Sequence, residues 1–246
     1  MSDDTLTTAV IVGVGASNGL GAALCRRFAA GGLHVFVAGR TAERIERIAD
    51  ELRAAGGAAT AYVCDATDEA QITELFAAAD RQGAGLRVAV FNAGNNVRSP
   101  LLEMSAELFE RTWRVACHAG FLSGREAARR MLQRGEGTIL FTGATASLRG
   151  KPPFTAFASA KAGLRALAQA MAREFGPEGL HVGHVIIDGG IDGEKLRTAV
   201  PDIIERRGSD GLLQPDDIAA AFWQLHQQPR SAWSFELDLR PYKERF

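Results

Sequence analysis

The chain has 246 residues, of which 46% are hydrophobic and 23% charged. These are ordinary proportions for a folded globular protein, and they exclude a disordered, collagen-like or disulfide-scaffolded chain. Twenty-eight basic residues against 29 acidic ones leave a net charge of -1, so no global field steers nucleic acid or an anionic membrane, and neither is expected as a partner. Three cysteines, Cys25, Cys64 and Cys117, stand in apolar stretches without paired spacing. They read as buried thiols in a reducing cytoplasm. The acidic start, Met1-Ser-Asp-Asp4, has neither the basic segment nor the apolar core of a signal peptide. No run approaches the 18 or so apolar residues of a membrane span. One count is skewed: 13 Phe against two Tyr, Tyr62 and Tyr242.

Short β-branched runs alternate with longer segments of helical periodicity. Strands are predicted at 8–13, 34–38, 59–64, 87–91, 138–142, 181–187 and 233–239. Helices are predicted near 20–31, 42–55, 68–82, 105–134, 155–175 and 216–227. Thr41 and Ser105 stand as N-caps, Pro215 precedes Asp216 and Asp217 in a first turn, and Gly176-Pro177 marks a stop. Apolar strands alternating with helices call for a mostly parallel sheet of about seven strands covered on both faces, because parallel strands need helical crossovers. No linker or repeat interrupts the alternation, so 1–246 reads as one doubly wound α/β domain of three layers. The least regular stretch, 188–214, suits a mobile flap over a site.

The first strand runs into Gly13-Val-Gly15-Ala-Ser17-Asn18-Gly19-Leu20-Gly21. Gly15, Gly19 and Gly21 permit a tight turn, close approach of a pyrophosphate, and a helix N-terminus aimed at the anion, as in a Rossmann-type dinucleotide site. About 20 residues further on, where an NAD site offers a carboxylate to the ribose 2′-hydroxyl, the chain has Gly39-Arg40. A guanidinium forks onto a 2′-phosphate, so NADP(H) is favoured, with NAD(H) still open.

Four ordered motifs then resemble the short-chain dehydrogenase/reductase family: the glycine loop, Asp65-Ala66 after the third strand, Asn92-Ala93-Gly94 after the fourth, and Phe157-Ala-Ser-Ala-Lys161 where the family has Tyr-x-x-x-Lys. The resemblance implies hydride transfer between a nicotinamide dinucleotide and a carbonyl or alcohol, and a homodimer or homotetramer. It implies cofactor contacts from Ser17, Asn18, Leu20, Asp65, Ala66, Asn92, Ala93, Gly94, Lys161, Gly189 and Ile191. It also implies a catalytic tetrad, and three of its positions fall on apolar residues: Phe157 at the Tyr, Ala144 at the Ser and Ala116 at the Asn. A phenyl ring neither donates nor accepts a proton.

Lys161 is then either a ribose ligand alone or, with its pKa lowered by burial, the catalytic acid itself. Thr145 is the weaker candidate. His118, two residues past Ala116, points elsewhere on an α-helix, and His181 and His184 fall on opposite faces of a strand. The five His form no metal cluster, and no metal is expected. Tyr242 reaches a site only if the tail folds over one. Asp188 stands where the family has the proline of Pro-Gly, and Gly193 lacks the hydroxyl the family offers a cofactor phosphate. Three functions remain: an oxidoreductase with a non-standard proton donor, a catalytically inactive NADP-binding regulatory or structural protein, and a subunit pairing with an active homologue.

Overall fold

The computed structural model describes residues 6–244. Seven strands form one sheet: β1 (Thr8–Val12), β2 (His34–Gly39), β3 (Ala59–Val63), β4 (Leu86–Phe91), β5 (Gly137–Thr142), β6 (Leu180–Ile187) and β7 (Glu236–Leu239). Their order is β3-β2-β1-β4-β5-β6-β7 and every neighbouring pair is parallel. The order reverses between β1 and β4, so a crevice opens at their carboxyl ends, where doubly wound folds bind ligands.

Side-chain alternation sorts the strands into two cores. Ala9, Ile11, Val35, Val37, Val88 and Val90 pack with α1 (Leu20–Ala30), α2 (Ala42–Ala54) and α9 (Pro215–His226) on one face. Val10, Val12, Phe36, Ala38, Ala89 and Phe91 pack on the other, against α3 (Glu69–Arg81), α5 (Ala119–Met131) and α6 (Thr155–Phe175). All three cysteines are free and buried. No helix among the described residues is long and apolar enough to cross a membrane.

The structure corrects several expected boundaries. The segment 105–134 is interrupted rather than one helix: α4 (Ala106–Trp113) passes through a π-helical turn at Arg114–His118 into α5, which tightens to a 3-10 turn at Leu132–Arg134. Ser105 caps α4 through Leu108 N at 3.2 Å, whereas Thr41 occupies its N-cap position without a side-chain bond. The final strand starts at Glu236 rather than 233, because Ser234 N is taken by Gln228 Oε1 at 2.7 Å and the Trp233 ring stacks on His181. The stretch 188–214 forms α7 (Glu194–Ala199) and α8 (Ile203–Arg207) and returns through a parallel bridge between Ile191 and Leu213.

Gly13, which follows β1, has φ +95°, and a Cβ there would lie 2.4 Å from Ala93 N. Gly13→Ala is therefore expected to cost on the order of 3 kcal/mol or more, from backbone strain and a clash with main chain that cannot turn aside. A urea midpoint equal to that of the unaltered protein would refute this.

Candidate active site

The glycine loop meets α1 at Gly19, the N-cap, where no side chain caps the helix and no acidic residue stands in the first turn. The helix thus keeps its first N–H groups and the positive end of its dipole for an outside anion. A Cβ on Gly15 would find nothing within 4 Å, so the loop is open there, whereas Gly21 is closed in by Gly13 O and Val14 Cα, each 2.9 Å from a Cβ. These contacts fit a pyrophosphate: open backbone in front, tight helix-to-strand packing behind.

Asn92 ties the strand ends together. Its Nδ2 donates to Gly13 O at 3.2 Å, and its Oδ1 accepts from Thr142 Oγ1 at 3.1 Å. Asp65 turns inward on its own loop, Oδ1 accepting from Thr67 N at 2.9 Å and from the Thr67 hydroxyl at 2.8 Å. Ala66 and Ala93 are half-buried beside it and beside Asn92. At the end of β2, a Cβ on Gly39 would lie 2.3 Å from Val14 O, so no carboxylate-bearing side chain fits there. Arg40 follows and is exposed. The Ser17 hydroxyl lies 3.4 Å from Glu51 Oε1.

Lys161 is 3% exposed, its Nζ donating to Thr142 O at 2.8 Å. Burial, with the Lys195 ammonium adding to it against the Cys117 thiol, holds its pKa down to about 8. Phe157 lies one turn earlier on α6, with Nζ 5.8 Å from its ring centroid. A Cβ on Gly94 would come within 3.4 Å of Lys161 Nζ and 4.0 Å of Phe157 Cε2, which places both side chains on the crevice wall. Ala144 is half-buried at the mouth. Ala116 is buried in a small cluster with Cys117 and Ala160.

The segment after β6 closes over this crevice. Glu194 N donates to Asn18 Oδ1 at 3.2 Å, Arg44 pairs with the Glu194 carboxylate at 3.1 Å, and Lys195 Nζ donates to Asn95 Oδ1 at 3.1 Å. The Asn18 side chain is thus engaged with α7. Gly189 has φ +151°, and a Cβ on it would lie 2.8 Å from Pro241 Cδ, so this glycine makes room for the chain after β7.

His118 and Tyr242 have partners of their own. His118 stacks between Trp113 and Phe121 at ring distances of 5.9 and 6.2 Å. Tyr242 is 76% exposed, with Lys243 over its ring; the last two residues of the tail lie outside the described residues. Among the described residues no cluster of three or more His, Cys, Asp or Glu is placed to hold a metal ion.

Two networks were not foreseen. Thr145 Oγ1 donates to Asp188 Oδ1, while Arg240 holds Asp188 Oδ2 at 3.2 Å. In the second, the Ser147 hydroxyl lies 3.4 Å from His184 Nε2, His184 Nδ1 lies 3.0 Å from Glu236 Oε2, and Arg165 forks onto Glu236 at 2.6 and 2.8 Å. The strand register is the signal for the second, since His184 pairs directly with Glu236.

A family model described as short chain dehydrogenase matches residues 8–201. The chain belongs to the short-chain dehydrogenase/reductase family. Among solved relatives, a short-chain dehydrogenase from Rhodopseudomonas palustris is 44% identical, with 96% of this chain and 99% of that one covered and a TM-score of 0.82. A 7α-hydroxysteroid dehydrogenase complexed with NADH and a 7-oxo bile acid conjugate is 27% identical over 98% of this chain and 97% of that one, TM-score 0.87. An actinorhodin polyketide ketoreductase with NADPH is 25% identical over 98% of both chains, TM-score 0.86. Short-chain dehydrogenase/reductase relatives of this chain thus carry either nucleotide, and the fold is the seven-stranded, doubly wound sandwich expected from the alternation of elements.

Proposed function

We propose that this family member is an NADP-preferring oxidoreductase acting on a small carbonyl or alcohol, in a single dinucleotide-binding domain, with a non-standard proton-carrying group. The observation that carries the reading is the pairing of an uncapped α1 N-terminus behind the open Gly15 loop with a buried Lys161 on the crevice wall. The loop Gly15–Gly21 holds the pyrophosphate, Asp65 and Ala66 face the adenine, Asn92–Gly94 and Lys161 hold the ribose, and Gly189 and Ile191 flank the nicotinamide. A bound nicotinamide dinucleotide supplies hydride transfer. The chain orients the substrate and manages the proton. With Phe157, Ala144 and Ala116 apolar at the tetrad positions, Lys161 and Thr145 are the groups left for that task.

The preference for NADP rests on Gly39, which admits no carboxylate, and on the exposed Arg40. Arg40→Asp is expected to weaken NADPH binding about tenfold or more, about 1.4 kcal/mol, and to change NADH binding by less than about twofold, measured by nucleotide fluorescence. An equal effect on both would sink the preference. A homodimer or homotetramer and a cytoplasmic location belong to the same reading. Leu102, Phe109, Trp113 and Phe121, exposed along 102–121, support self-association; light scattering measures it.

The apolar groups at three tetrad positions favour a second reading, a catalytically inactive NADP-binding regulatory or structural subunit. NADPH oxidation over a carbonyl and enone panel separates the two. Turnover by the wild type supports the enzyme. Nucleotide binding with turnover only in Phe157→Tyr/Ala144→Ser supports the inactive subunit.

A further inference from the structure

The half-buried Thr145 hydroxyl has a buried partner, Asp188. Thr145 and Asp188 sit at the carboxyl ends of β5 and β6, adjacent strands. Thr145 follows Ala144 at the mouth, and Asp188 precedes Gly189. Asp188 is 7% exposed, yet each of its carboxylate oxygens is engaged, Oδ1 by the Thr145 hydroxyl and Oδ2 by Arg240 at 3.2 Å. Its own N–H donates to Leu239 O at 2.8 Å, which fixes the backbone against β7. Arg240 is held in turn by Asp238 at 2.6 Å. A carboxylate anchored by a guanidinium, with a hydroxyl donated to its other oxygen, fixes a short chain of oxygens along which a proton can pass.

The neighbouring proton-carrying groups are committed elsewhere. The Thr142 hydroxyl and the Asn92 side chain are bonded to each other, and Lys161 Nζ donates to Thr142 O. The Ser147 hydroxyl faces His184, and His184 faces Glu236. Thr145 donates its one proton to Asp188, so its oxygen keeps lone pairs with which to accept. A substrate hydroxyl is the complementary group.

We infer that Thr145 and Asp188 form the proton relay of this site, Thr145 touching the substrate hydroxyl and Asp188 accepting the proton behind it. The inference rests on the oxidoreductase reading and supplies its missing group. In the step, the substrate C–H bond breaks and its electron pair leaves with the hydrogen as hydride for an oxidised nicotinamide dinucleotide. The substrate O–H proton passes to Thr145 Oγ as Thr145's own proton moves to Asp188 Oδ1, and the carbon–oxygen bond becomes a carbonyl. Lys161 remains the ribose ligand of the proposed function.

The test uses the full chain with NADP+ and 2,2,2-trifluoroethanol, an alcohol that resists oxidation, as the probe, followed by ¹⁹F NMR. Thr145→Val keeps the shape and removes the hydroxyl; Thr145→Ser restores it. Wild type and Thr145→Ser should bind the probe with affinities within about threefold of each other and Thr145→Val about tenfold more weakly, while NADP+ affinity stays within about twofold in all three. Over a secondary-alcohol and polyol panel, NADP+ reduction should fall about 10²–10⁴-fold in Thr145→Val and recover in Thr145→Ser. Equal probe binding by wild type and Thr145→Val, or undiminished turnover in Thr145→Val, with NADP+ binding intact, overturns the relay alone. Failure of the wild type to bind either NADP+ or NAD+ overturns the oxidoreductase reading and the relay with it, whereas binding of NAD+ alone overturns the NADP preference and moves the same test to NAD+. Asp188→Asn should match Thr145→Val in turnover, and its thermal unfolding reports separately any cost of leaving Arg240 beside a neutral amide.

Discussion

Between pH 6.5 and pH 4 the protein is expected to lose on the order of 4 kcal/mol of stability, a large share of the 5–15 kcal/mol typical of a folded domain. His184 and His226 carry most of it. His184 is buried and His226 half-buried, and loss of solvent pushes the pKa of each down to about 4. For His184 the hydrogen bond to Glu236 opposes the shift without reversing it; for His226 the nearby Arg87 adds to it. His181 is shifted in the same direction by burial. The unfolded chain takes up these protons near pH 6.5 and the folded chain only near pH 4, so the stability they contribute is present above pH 6.5 and drains away as the pH falls through that window. His184 sets the largest share, being fully buried between Ser147 and Glu236, whereas His226 is only partly covered and counts for less. The midpoint of thermal unfolding should fall by about 10 °C across the window. His184→Asn, which accepts no proton there, should recover roughly half of that loss, and an identical pH dependence in wild type and variant would show that the imidazole is not the cause.

Lys161→Met should make the protein more stable at pH 7 and less able to bind a nucleotide. The Nζ of Lys161 loses its proton near pH 8 in the folded chain instead of the ordinary 10.5, so at neutral pH the fold carries a buried cation at a cost on the order of 3 kcal/mol. Methionine removes that cost and fills most of the same space, and gives up the bond to Thr142 O, itself worth about 1 kcal/mol. The net expectation is a gain of about 2 kcal/mol at pH 7, read from urea unfolding. The gain should shrink as the pH rises from 8 to 10.5, because only the wild type is relieved of its proton in that range. NADPH affinity should fall about tenfold or more. A variant that is less stable at pH 7, or that binds NADPH as tightly as the wild type, would show that Lys161 is a packing residue. Stability sacrificed at one buried cation is the usual sign of a group kept for function.

The sheet was legible because its strands are buried on both faces and its helices amphipathic, so the change in hydrophobic period marks each element. The glycine loop was equally legible: no other residue fits Gly13 at φ +95° against Ala93, or Gly21 against Gly13 O. The segment 188–214 was not. Its helices, Glu194–Ala199 and Ile203–Arg207, are too short to show a period and too short to be stable alone. They form because Asn18, Arg44 and Asn95 latch the first of them to the glycine loop, α2 and the turn after β4. The π turn at Arg114–His118 was hidden as well, since its residues keep helical spacing and only the backbone bonding differs.

Local pattern determined the order of elements and the glycine-rich turn before the first helix, and it puts apolar side chains, Phe157, Ala144 and Ala116, at positions where the family resemblance implies an acid, a hydroxyl and an amide. Each of these follows from residues close together in the chain, where steric limits and periodicity act directly. Partnerships across the sheet were decided by tertiary structure alone. Thr145, Asp188 and Arg240 are separated by 43 and 52 positions, as are Ser147, His184 and Glu236 by 37 and 52. Only the parallel register of β5, β6 and β7 brings each set together. A polar side chain acquires its chemical role from its partner, and in a doubly wound sheet that partner comes from the next strand.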